Sequence, residues 1–164
     1  MTLLQGIIKV ALIGVGATAV MDLWLMLLNR MGVKTLNLAF IGRWVGYLFR
    51  GRLTHAAIGK APPIPGELAL GWLAHYAVGV VFAGFLVAVS GIGWMSNPTL
   101  LPALLVGIGT VAAPLFVMQP AMGSGFPASK TPAPLQSCLR SAANHSIFGI
   151  GLYLSAFLIE SISR

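Results

Sequence analysis

The sequence predicts an all-α integral membrane protein with four spans and a short amphipathic helix at the membrane surface. Three observations carry that class. The chain has 164 residues, 57% of them apolar and only 8% charged, whereas a soluble domain carries roughly 25% charged residues. Its mean hydropathy is +0.90. The few charges separate four apolar runs, each long enough to cross a hydrocarbon core that takes about 20 helical residues. A soluble enzyme, a disordered tail and a nucleic-acid-binding module all fit this composition poorly, despite an isoelectric point near 10.4.

The crossings are placed at about 7–29, 68–90, 98–119 and 139–160, within one membrane domain covering 1–164. The runs lack the alternation of a barrel strand. Only helices can then satisfy the backbone inside lipid. The shared order of the four runs admits two repeated helical hairpins. Gly16–Gly32 and Gly107–Gly123 both open and close on glycine with methionine before the last, and His75-x-x-x-Gly79 is echoed by His145-x-x-x-Gly149.

The first run holds Ala17-Thr18-Ala19, which resembles a signal-peptide cleavage site. No charged cluster precedes it, and the run continues through Leu28 before positive charge appears. It is expected to be an uncleaved first helix.

Orientation follows from the basic residues. Arg30, Lys34, Arg43, Arg50, Arg52 and Lys60 lie between the first and second crossings, and Lys130 and Arg140 lie between the third and fourth. Lys9 and Arg164 lie on the other side. Basic loops stay cytoplasmic, so both termini are expected outside, in the periplasm of a bacterial inner-membrane protein.

Residues 36–50 are too short and too basic to span. Arg43 and Arg50 are one heptad apart, and Leu38, Ile41, Trp44, Val45 and Leu48 can face the other way. The segment reads as an interfacial helix, with Trp44 as anchor and Arg43 and Arg50 snorkelling to anionic headgroups. The Pro62–Gly66 stretch then makes a stiff turn into the second crossing, where Glu67 caps the N-terminus. His55 is expected to be a solvated loop residue.

The Met122–Thr131 loop ends in Lys130-Thr131 and invites a phosphate-loop reading. The spacing fails, because Ser129 stands where the glycine before the lysine belongs, and no strand precedes it. A compact turn with exposed backbone donors is expected instead. The single cysteine, Cys138, excludes an intrachain disulfide and reads as a small packed residue. Met118 and Met122 read as core filling.

The informative residues are the polar ones within the crossings. Asp22, His75 and His145 each lie about six or seven residues from the basic side, which at 1.5 Å per residue is about 10 Å deep. Gln119 and Asn144 are near the same depth. Ionisable groups at that depth are costly and usually face a helix-bundle interior or cavity. Asp22, His75, His145, Gln119 and Asn144 are therefore the candidate pocket. Glycines 71, 79, 149 and 151 would let the helices approach closely.

Three chemistries fit. An aspartate with histidines can carry a proton, since histidine titrates near neutrality. Two histidines with a carboxylate can ligate a transition metal, and His75 and His145 alone can ligate a haem. The same groups can also simply hydrogen-bond the helices together. No cofactor is specified by the sequence.

The stretch Met118–Pro132, followed by Asn144–Tyr153, together with Asp22 and Gly71-Trp72-Leu73-Ala74-His75-Tyr76, resembles a bacterial membrane family catalogued as domain of unknown function 2938. The resemblance covers nearly the whole chain. It implies a four-helix inner-membrane protein and supplies no activity. The leading expectation is a protein that binds or translocates a small solute or ion with proton linkage. The alternatives are a haem- or metal-binding redox protein and a non-catalytic assembly or partner-recruiting protein. Expected partners are anionic lipid headgroups, an unidentified small ligand and a second copy of the chain, with no nucleic acid.

Overall fold

The computed structural model describes residues 2–33, 35 and 37–163. The expected start of the interfacial helix at Leu36 lies outside the described residues, as do Lys34 and Arg164. The described residues are helical and contain no strand. Helix α1 is Leu3–Arg30, α2 is Leu38–Leu48, α3 is Glu67–Ser90 and α4 is Leu100–Gly109. A π-helical turn at Pro114–Met118 leads into the one-turn α5, Gln119–Ala121, and α6 is Pro134–Ser163. Among the described residues, four segments are long and apolar enough to cross a membrane: Leu3–Arg30, Glu67–Ser90, Leu100–Ala121 and Pro134–Ser163.

The helix ends follow local chemistry. Thr2 caps α1 reciprocally: its hydroxyl accepts from Gln5 N, and the Gln5 side chain accepts from Thr2 N. Beyond Arg30, Gly32 takes φ +83° and turns the chain out of the helix. Gly91, also at φ +83°, ends α3 in the same way. Pro134 opens α6, a position where its missing N–H costs nothing. The helix therefore starts five residues before the apolar run that marks the fourth crossing in the sequence.

The third crossing is not one regular helix, as 98–119 was expected to be. Pro114 cannot donate to the carbonyl of Thr110, and its ring crowds the preceding turn. The backbone breaks at Thr110–Val111 and then widens, so that Gln119 N–H reaches back five residues to Pro114 O.

The chain forms two compact units. The first comprises Met1–Lys34, Tyr76–Thr110 and Ala143–Arg164. Its core is Ile13 and Ala17 of α1, Ala83 and Leu86 of α3, Trp94 and Met95 of the following turn, Ala103 of α4, and Phe148, Leu152 and Ala156 of α6. Glycine permits the crossings. A Cβ on Gly79 would meet Thr18 and Gly14, and one on Gly107 would meet the backbone of Gly149 and His145. Both His-x-x-x-Gly motifs thus place their glycine at a helix crossing, and Gly151 does the same against Ala17.

The second unit comprises Thr35–His75 and Val111–Ala142. Tyr47, Ile58, Ile64 and Met122 form its core, with Phe40, Trp44, Leu70 and Met118 packed around them. Gly42 of α2 lies against the carbonyl of Glu67, and Gly71 of α3 against that of Leu38, so backbone meets backbone where these helices cross. His55 N–H donates to Ala121 O at 2.8 Å and Ile58 N–H to Met122 O at 2.9 Å, which ties the two loops together. Large apolar side chains, including Leu23, Leu73, Val81, Leu105 and Phe157, stay exposed.

Candidate functional site

In the first unit, hydrogen bonds between polar residues of the spans join the helices. Tyr76 of α3 donates its hydroxyl to Asp22 Oδ2 of α1 at 2.9 Å. Trp24 Nε1 donates to Asn144 Oδ1 of α6 at 3.0 Å. Thr110 Oγ1, just past α4, is 2.8 Å from His145 Nδ1. The same oxygen lies 2.6 Å from Gly107 O, and when its one proton goes there the imidazole Nδ1–H is the donor to Oγ1. The break before Pro114 places Thr110 at this position. Further along the same helices, Lys9 Nζ pairs with Glu160 Oε2 at 3.0 Å.

His75 and Gln119 belong to the second unit, whereas Asp22, Asn144 and His145 belong to the first. His75 is half-buried, with its ring 6.3 Å from that of Trp72 in an edge-to-face arrangement. Gln119 Nε2 donates to Ser141 Oγ at 3.4 Å, while its buried Oε1 accepts no hydrogen bond. Among the described residues, no three His, Cys, Asp or Glu side chains stand together as metal ligands.

The expected interfacial arginines behave differently from one another. Arg50 is exposed, with its guanidinium 5.7 Å from the Tyr47 ring centre. Arg43 is 6% exposed and points inward rather than to headgroups. Its Nε and Nη2 donate to the two oxygens of Glu67 at 2.8 and 2.7 Å, and Nη1 donates to Ala61 O at 2.8 Å. The bidentate bond to Glu67 raises the Arg43 pKa further above its ordinary value, overcoming the opposite effect of burial. Glu67 does stand in the first turn of α3 and accepts from Ile64 N–H. Its main partner is Arg43, which a reading of helix ends alone misses. Trp44 spends its indole N–H on Leu53 O.

Two loop expectations also change. His55 is 6% exposed rather than solvated, and neither ring nitrogen has a hydrogen-bond partner. Burial, and next the charge of Arg52, push its pKa down. The Met122–Thr131 loop is compact as expected, with Gly123 at φ +95° and Gly125 at φ +76°. Several of its backbone donors are engaged, however. Ser124, Ala128, Lys130 and Thr131 give their N–H groups to Gln119, Gly125, Ser124 and Ala128.

A family model described as a protein of unknown function, DUF2938, matches residues 11–159. The chain is a DUF2938 protein. No curated protein and no solved structure matches it. The match of this DUF2938 chain covers Asp22, Tyr76, Thr110, Asn144 and His145 of the first unit and Arg43, Glu67, His75 and Gln119 of the second, while Lys9 and Glu160 lie outside it.

Sequence reasoning missed the partners: Tyr76, Thr110, Trp24 and the Arg43–Glu67 pair. Tyr76 follows His75 directly. Depth was the only coordinate the sequence supplied, and depth does not name a side chain's partner. Glu67 had a stronger signal, being one of three acids in the chain and close to a helix that carries a fixed arginine.

Proposed function

We propose that this DUF2938 protein is a multi-pass membrane protein that binds or moves a small solute or ion in a proton-linked manner. The observation that supports this reading best is the Tyr76–Asp22 hydrogen bond, a carboxylate held by a hydroxyl between two apolar helices. Ionisable groups within spans are costly to bury, and where they persist they mark ion and proton pathways by default. The Thr110–His145 pair adds a second titratable side chain in the same unit, beside a broken helix. Broken helices within spans are a recurrent feature of transporter binding sites. The exposed apolar faces of α1, α3, α4 and α6 agree with lipid as their surroundings.

In the same proposal the basic loops lie in the cytoplasm of a bacterial cell, the termini lie in the periplasm, and anionic headgroups contact Arg50. Four helices in one copy enclose little space, so pairing of two copies belongs with it. The test is proton movement into liposomes containing the purified chain and an internal pH-sensitive dye. An imposed pH gradient should dissipate faster than in protein-free liposomes. Equal rates across a panel of candidate solutes would overturn the proposal.

A further inference from the structure

The loop between α2 and α3 encloses a feature that the flux reading does not use. Arg52, His55, Ala56, Ala57, Lys60, Ala61 and Pro62 line a cavity of about 320 Å³, at the small end of the range for small-molecule sites. Its polar side chains are two cations and an imidazole, with no carboxylate. The one acid in this unit is Glu67, and both its oxygens are held by Arg43. Arg52 and Lys60 are exposed, whereas His55 is buried with both ring nitrogens unpartnered. A buried imidazole without hydrogen bonds is costly, and an acceptor that reached the ring from the adjoining cavity would remove that cost.

The walls are held in place. Arg43 Nη1 donates to Ile58 O and Ala61 O at 3.3 and 2.8 Å. The backbone at His55 and Ile58 is fastened to Ala121 and Met122. Gly123, at φ +95°, leaves no room for a Cβ beside Ala56 O. The Tyr47 ring meets His55 edge-on at 4.9 Å, and the Arg52 guanidinium lies 5.7 Å from the centre of the same ring. One aromatic side chain thus positions both groups.

We propose that this cavity binds a phosphate group. Arg52 supplies a planar fork suited to two oxygens, Lys60 a mobile point charge and His55 a ring N–H. That chemistry is shared by inorganic phosphate and by the phosphate of an anionic lipid headgroup. The site is independent of proton movement through the spans.

The test uses the full chain in nanodiscs, with histidine ring nitrogens labelled for NMR and the His55 signal assigned by its loss in His55→Gln. One arm titrates inorganic phosphate into phosphatidylcholine nanodiscs. The other compares phosphatidylcholine with phosphatidylglycerol nanodiscs without added phosphate. A saturable shift of the His55 signal is expected in at least one arm. The first arm alone identifies a free anion, and the second a headgroup. In Arg52→Gln/Lys60→Gln, which alters only exposed side chains, affinity should fall at least about tenfold, since two charge-assisted hydrogen bonds are lost. No shift in either arm overturns the site, and so does a shift that survives the double substitution.

Discussion

Tyr76 Oη lies 2.9 Å from Asp22 Oδ2 and donates to it, which fixes one point of contact between α3 and α1. Tyr76→Phe keeps the ring and removes only the donor. The expected loss is about 0.6–1 kcal/mol, the size of an interhelical hydrogen bond in membrane proteins. Unfolding in mixed micelles by denaturing detergent measures it. An unchanged midpoint would mean that the hydroxyl contributes nothing to stability.

Gly107 and Gly149 set the crossing of α4 and α6. A methyl group on Gly107 meets the backbone of Gly149 and His145, none of which can move alone. Gly107→Ala is expected to cost about 1–3 kcal/mol as an overpacking change. It should also disturb the His145 ring signal, because Gly107 O accepts from the Thr110 hydroxyl that holds His145. Gly109→Ala is the control. Nothing lies within 4 Å of a Cβ there, so its melting temperature should match or exceed wild type.

Arg43 is the residue whose loss should unsettle the second unit most. Arg43→Ala leaves Glu67 without its fork and frees the carbonyls of Ile58 and Ala61. Arg43→Lys keeps the charge and cannot reproduce the bidentate geometry. Thermal melts should rank wild type above Arg43→Lys and Arg43→Lys above Arg43→Ala, with Arg43→Met/Glu67→Met recovering part of the loss. Indistinguishable Lys and Ala variants would show that the fork geometry is unimportant.

Stability should depend on pH through His55. The groups facing it are Arg52 and Lys60 of the cavity and Tyr47 of α2. Burial and then the Arg52 charge hold its pKa below the ordinary 6.5. Between that lower value and 6.5 the unfolded chain binds more protons than the folded one, so stability rises with pH across the window. The contribution is fully present above 6.5 and is lost as pH falls through the folded value. Melting temperature should therefore drop as pH is lowered from about 7 to about 5, and His55→Gln should flatten the profile. A wild-type profile already flat over that range would contradict this.

The helices were legible because apolar length is a strong signal. The four segments lie within a few residues of the runs that mark them, and glycines 71, 79, 149 and 151 do sit at close approaches. The partners were not legible. Placing Asp22, His75 and His145 at one depth fixes a height along three helices and leaves rotation about each axis free. Depth alone therefore did not single out Tyr76 as a hydrogen-bond donor to Asp22. Arg43 failed for a related reason: heptad spacing with Arg50 puts both on one face, but does not say which face packs inward. Only Glu67, brought beside α2 by the Gly42–Gly71 crossing, decides it.

The central claim is that a titratable pair within the spans carries protons. The most direct measurement is the rate of internal pH change in proteoliposomes under an imposed gradient, compared between wild type and Asp22→Asn at equal reconstitution. Asparagine keeps the size and can still accept from Tyr76, so folding should be preserved while the carboxylate is gone. The expected result is a wild-type rate well above that of empty liposomes and an Asp22→Asn rate equal to it. Equal rates for wild type and Asp22→Asn, or a wild-type rate no faster than lipid alone, would contradict the claim.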